Sequence, residues 1–193
     1  MKKIVLASGS PRRKELLERF TKDFEIIPSE YEEDMTLDMP PEELAKHLSL
    51  GKAKDVADEL GEGLVVGADT FVSLQGKVIG KPKDLDDAKE TLRKYSGTHH
   101  SVFTGITVID ASDNKTVSGY AETKVYFREL SDEEIDIYVQ NDHVLDKAGS
   151  YAYQDRAATF VEKIYGDYYT IVGLPISTLD KILKQFGVNL LTL

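Results

Sequence analysis

The order of apolar and polar positions divides the chain into short units. Residues 4–7, Ile-Val-Leu-Ala, are an apolar run rich in β-formers, the pattern of a strand buried on both faces. Ser8-Gly9-Ser10 stops it. Pro11 suits the first turn of a helix, where its missing N–H would have no partner anyway, and Ser10 is a natural N-cap. Leu16, Leu17 and Phe20 then recur at helical spacing. The opening reads as strand, tight turn, helix. Residues 24–28 predict a second short strand, and residues 29–34 an acidic loop. Pro40-Pro41-Glu42-Glu43 opens a helix. Its apolar positions Leu44, Leu48, Val56 and Leu60 fall roughly on one face, with Gly51 expected to interrupt it and Gly61 to end it.

Residues 64–68 are the second strongly apolar run and predict a strand closing at Asp69-Thr70. Residues 71–74 and 77–79, around Gln75-Gly76, read as a hairpin. Gly80-Lys81-Pro82 is a loop, and residues 84–95 a helix with acids first, Lys94 last and Gly97 just beyond. Residues 102–109 and 116–127 predict a long antiparallel hairpin. Ser131 to Glu134 spells a capping box for a short helix through Gln140. Residues 141–154 are irregular. Residues 160–165 and 168–172 read as a further hairpin about Gly166-Asp167, broken by Gly173-Leu174-Pro175. Ser177 is expected to cap a closing helix through Phe186. Mixing βαβ-like units with antiparallel hairpins predicts an α/β fold with a mixed, partly antiparallel sheet flanked by helices. No repeat or long linker divides residues 1–193, which read as one domain.

Composition narrows the function. Hydrophobic residues are 41% and charged residues 30% of the chain, enough for a core and a soluble surface. No stretch approaches the ~20 apolar residues of a membrane span. Two N-terminal lysines precede no long apolar segment, so no signal peptide is expected. The absence of cysteine excludes disulfides, thiolate metal sites and cysteine nucleophiles and fits a cytoplasmic protein. A net charge of −10 repels a nucleic acid polymer but not a nucleotide held in a local basic pocket.

Arg12 and Arg13 stand in a first helical turn, where cations are unfavourable. They make sense if an anion binds there, since arginine matches phosphate with bidentate donors; a solvated basic turn is the alternative. Asp69 follows a buried run, where a carboxylate is costly without a partner or a task. It reads as a turn residue, a general base or a metal ligand. Ser8 and Asp69 both fall at predicted strand ends. If those strands are parallel neighbours, they face one cleft. Lys52 and Lys81 could reach phosphates, and Glu32 and Glu33 could serve Mg²⁺; each also reads as an ordinary solvated charge. P-loop, zinc-protease and nucleophile-elbow motifs are absent. His99-His100 reads as a polar edge rather than a zinc site, and Tyr165, Tyr168 and Tyr169 as strand residues.

Taken in order, Ser8-Gly9-Ser10-Pro11-Arg12-Arg13, Glu32-Glu33, Lys52-Ala53, Gly67-Ala68-Asp69-Thr70, Gly80-Lys81-Pro82, Ser96-Gly97, Asp146-Lys147-Ala148-Gly149, Gly166-Asp167-Tyr168-Tyr169 and Gly173-Leu174-Pro175 resemble the motifs of the Maf family of nucleoside triphosphate pyrophosphatases. The resemblance implies a fold related to the inosine triphosphate pyrophosphatases, with a cleft between two lobes. It implies hydrolysis of a nucleoside triphosphate to the monophosphate and pyrophosphate with a divalent metal cation, Mg²⁺ or alternatively Mn²⁺. Carried over by position, Asp69 would accept the proton from water. Ser8, Arg13, Lys52 and Lys81 would hold phosphates, and Glu33 the metal. Arg12, Thr70 and Gln154 would set base specificity, in a pattern similar to the branch acting on dTTP and UTP. A homodimer is also implied. One departure stands out: where the family often has Ile-Gln-Gly-x-Gly, this chain has Tyr153-Gln154-Asp155-Arg156-Ala157. A nucleotide-binding regulator of septum formation without turnover, and a phosphatase releasing orthophosphate, are the competing readings.

Overall fold

The structure, a computed structural model, describes residues 2–193. Its order is β1 (Ile4–Leu6), α1 (Pro11–Leu17), β2 (Phe24–Ile26), α2 (Pro41–Leu60), β3 (Leu64–Leu74), β4 (Lys77–Ile79), α3 (Leu85–Tyr95), β5 (His99–Asp110), β6 (Thr116–Phe127), α4 (Asp132–Asn141), β7 (Val161–Tyr165), α5 (Tyr168–Val172) and α6 (Ile176–Leu183), with short 3₁₀ turns between and after. The strands form one mixed sheet in the order β2-β1-β3-β5-β6-β7, with β4 also on β3. β1 runs parallel to β2 and β3, and all other pairs are antiparallel. The expected mixed α/β architecture is the one observed.

The two-residue period of the strands assigns the layers. Even-numbered Leu64, Val66, Ala68, Ile106 and Val108 pack against Leu16 and Leu17 of α1 and Leu179 and Leu183 of α6. Odd-numbered Val65 and Ile109 pack against Ala53, Val56 and Ala57 of α2, and Phe71 and Phe103 meet Leu44 and Leu48 further along it. α3 and α4 close the far end around Val72, Val102, Tyr95 and Phe127. β6 buries only part of one face, matching its alternating sequence.

α2 lies on the sheet backbone to backbone. A Cβ on Gly67 would come within 2.4 Å of the Ser49 carbonyl oxygen, and one on Gly105 within 1.8 Å of that of Ala45. Glycine at both positions is what lets the helix approach this closely.

Four local expectations change. The strand expected to close at Asp69 continues to Leu74, because Asp69 and Thr70 pair with Gly105 and Thr104 of β5. Gly51 does not interrupt α2. Residues 168–172 form helix α5 rather than a hairpin strand, capped by the Asp167 side chain on the Tyr169 N–H and stopped by Gly173 in the left-handed region. α6 begins after Pro175, not at a Ser177 cap. The Ser131–Glu134 capping box forms with both of its reciprocal hydrogen bonds.

Candidate active site

The site is a gap in the sheet. β5 covers one edge of β3 along its length. On the other edge β1 reaches only Val66, with one further bond from the Ala7 N–H to the Val66 carbonyl. β4 takes the same edge from Val72 onward. Residues 67–71 are left uncovered between them, and a cavity of about 510 Å³ opens there, well within the size range of small-molecule sites. Neighbouring strand residues point to opposite faces, so the gap is reached from both layers.

On the α2 face stands Asp69, 3% exposed. Its Oδ1 accepts from the Lys52 ammonium, while Oδ2 is buried without a partner. Lys52 Nζ also lies 2.5 Å from Glu33 Oε1, so one ammonium bridges two carboxylates. Glu33 comes from the acidic loop, which α2 anchors. Asp55 accepts from the Ser29 hydroxyl and the Glu30 N–H at 2.8 and 2.7 Å. The Tyr31 ring covers Gly51, where a Cβ would come within 2.3 Å of Cζ. Gly51 is thus a seat for Tyr31 rather than a helix break.

On the other face Thr70 meets Arg13. The guanidinium donates through Nε to the Gly173 carbonyl at 2.9 Å, through Nη1 to Ser8 Oγ at 3.1 Å and through Nη2 to Thr70 Oγ1 at 3.2 Å. Thr104 donates to the Thr170 carbonyl at 2.7 Å, so its contact with Thr70 at 2.9 Å must receive the Thr70 proton. Thr70 therefore donates to Thr104 and accepts from Arg13. Burial lowers the Arg13 pKa, against the attraction of Asp69 and Glu33, and the group keeps its charge at any ordinary pH. α1 spans only seven residues, so positive charge at this turn comes from the two arginines rather than from a helix dipole.

Arg12, Arg13, Glu33, Lys52, Asp69, Thr70, Lys81 and Gln154 all line the one cavity. Ser8 does not line it and serves Arg13 instead. Arg12 and Lys81 are exposed at its mouth. The far half is apolar, built from Val72, Val102, Tyr151 and Ile171. Tyr151 is held by His100, Nε2 to hydroxyl 2.7 Å. His100 is 1% exposed and stacks on Tyr95 at 4.0 Å, so it is core rather than a polar edge. Lys147 also lines the cavity. Sequence reasoning gave it no role, although its place in the Asp146-Lys147-Ala148-Gly149 motif was a signal.

A family model described as a Maf-like protein matches residues 3–186. The chain belongs to the Maf-like family. This Maf-like chain is 49% identical over 189 residues to a protein of Bacillus cereus (strain G9842) named dTTP/UTP pyrophosphatase, with 98% of each chain covered. It is 50% identical over 186 residues to one of the same name from Bacillus cytotoxicus, with 96% of each covered. Among solved structures it is similar to a nucleoside-triphosphatase / dITP/XTP pyrophosphatase from Mycobacterium abscessus, at 15% identity and a TM-score of 0.47 over 96% of this chain and 98% of that one. That likeness is too remote to argue from.

Among the described residues no three His, Asp or Glu side chains gather into a metal cage. Glu33 and Asp69 nonetheless converge on one cationic group, and Asp69 Oδ2 lacks a partner. One or two carboxylates completed by phosphate oxygens and water is the set Mg²⁺ takes at phosphate sites. The residues of this Maf-like chain fit such a cation. No helix among them is long and apolar enough to cross a membrane.

Proposed function

We propose that residues 1–193 form one nucleoside triphosphate pyrophosphatase domain, which hydrolyses dTTP and UTP to the monophosphate and pyrophosphate. The observation that carries this reading is Asp69, a buried carboxylate with one unpartnered oxygen, in a cavity shared with Arg12, Arg13, Lys52 and Lys81. A charge so placed is expensive without a task, and the four cations match a triphosphate. The names of the Bacillus relatives support the substrate class.

Arg13, fixed by Ser8, Thr70 and Gly173, presents a rigid guanidinium to the phosphates. Arg12 and Lys81 close on them from the mouth. Lys52 exchanges its carboxylates for phosphate oxygens when the triphosphate enters. Asp69, released from Lys52, takes the proton of the water that attacks the α-phosphorus. The new bond is water oxygen to α-phosphorus, and the bond broken leaves pyrophosphate. Glu33 would hold the divalent cation beside Asp69, where such an ion supplies charge neutralisation and polarises phosphoryl oxygens. The base lies in the apolar half, with the Gln154 amide available to its edge.

The test is product identification with dTTP or UTP and Mg²⁺. Monophosphate and pyrophosphate are expected. Diphosphate and orthophosphate would make the chain an ordinary phosphatase. Bound but unchanged nucleotide would make it a regulator, as in septum formation.

A further inference from the structure

Lys147 has no part in the hydrolytic steps above, yet it is held in the same cavity. Its side chain is only 12% exposed. Nζ donates to the His143 carbonyl at 2.8 Å and lies 3.4 Å from Asp155 Oδ2. Asp155 directly follows Gln154, at a position where the resembling motif has glycine. The segment is tied down further by the Gly149 N–H, which donates to the Gly80 carbonyl at 3.0 Å. An ammonium has three donors and no acceptor. One is committed to the His143 carbonyl, and Asp155 pairs with the charge as an ion pair without taking up a donor, which leaves N–H groups for the cavity that Lys147 lines. The same segment supplies Tyr151 and Gln154 to the cavity, which puts Lys147 with the base rather than with the phosphates.

We infer that Lys147 is a specificity-determining residue, whose uncommitted N–H reads the C4 carbonyl oxygen and selects uracil and thymine over cytosine. The inference rests on the nucleotide reading of the site. Uracil and thymine carry carbonyl oxygens at both C2 and C4, whereas cytosine carries an amino group at C4. A donor-only ammonium facing that amino group leaves two donors opposed and unpaired. Sites that match polar groups in this way discriminate strongly against the wrong partner. Asp155 keeps Lys147 aimed, so the departure from glycine becomes part of the selection.

Equilibrium binding of UTP and CTP to the metal-free protein tests this without turnover. The wild type should prefer UTP, and Lys147→Met should cut the UTP-to-CTP affinity ratio by roughly tenfold or more, the scale of a lost matched hydrogen bond in a specificity site. Lys147→Arg, which keeps a donor, should retain the preference. Lys147→Gln, which adds an acceptor, should move it toward CTP, and it stands in should Lys147→Met fail to fold. Equal loss for both nucleotides, no change, or a wild type without preference would overturn the inference. Failure of the pyrophosphatase reading shows separately, as a wild type that binds UTP and releases no pyrophosphate.

Discussion

Lys52 donates to Asp69 across 17 residues of sequence, from a helix onto the strand beneath it. The contact exists because Gly67 and Gly105 let α2 lie directly on β3 and β5. It holds the carboxylate aimed in the absence of substrate. Asp69→Asn keeps the shape and removes the proton acceptor. Turnover of dTTP should fall by roughly two or more orders of magnitude, the usual scale for a general base, while nucleotide binding persists. Wild-type turnover in this variant would remove Asp69 from the mechanism.

Gly51→Ala sets helix propensity against the site. Alanine is better than glycine inside a helix by about 1 kcal/mol, so propensity alone predicts a more stable protein. The Tyr31 ring occupies the space of the new methyl group and must move, taking the Glu33 loop with it. Misplacement of this order costs up to about a hundredfold in rate. We expect kcat/KM to drop by at least about tenfold with no matching fall in melting temperature. Unchanged kinetics would show that the Glu33 loop does not depend on this seat.

Thr104→Val removes a fully buried hydroxyl without changing side-chain shape. It leaves the Thr170 carbonyl without that donor and Thr70 without its acceptor. Loss of such a buried partner costs about 1–3 kcal/mol, measurable as a shift of the urea midpoint. KM should rise as well, because Arg13 loses the fixed orientation of Thr70. A stable variant with normal KM would disconnect this hydroxyl chain from the site.

His100 makes stability depend on pH. Burial, with a smaller push from His99, lowers its pKa to about 3, against about 6.5 for an unfolded histidine. The unfolded chain therefore takes up a proton that the folded chain refuses. The contribution is whole above pH 6.5 and is lost as pH falls from there toward 3, by about 1.4 kcal/mol per pH unit. Urea titrations at pH 7.5 and 5.5 should show the loss in the wild type and a smaller one in His100→Gln. Equal slopes would mean that the imidazole titrates in the native state.

Much of this was legible along the chain. The apolar runs of β1 and β3, the two long strands β5 and β6, and the Ser131–Glu134 box are local features, and local sterics and hydrogen bonding decide them. The motif residues were legible as a set for the same reason: each marks a turn, a strand mouth or a loop. Asp69 reads locally as a strand end because aspartate is a turn residue by habit. Its backbone is instead paired with β5, an arrangement that only the partner strand could impose.

The sequence by itself determined the succession of strands and helices, the charged residues available for a phosphate site, and the membership of one family. Tertiary structure alone decided that β1 stops short of β4 and opens a gap beside Asp69. It also decided that Gly51 seats Tyr31 and that Lys147 meets Asp155. The reason is range. Periodicity and capping act within a few residues, whereas a gap, a seat or an ion pair depends on where distant segments come to rest once the core has closed.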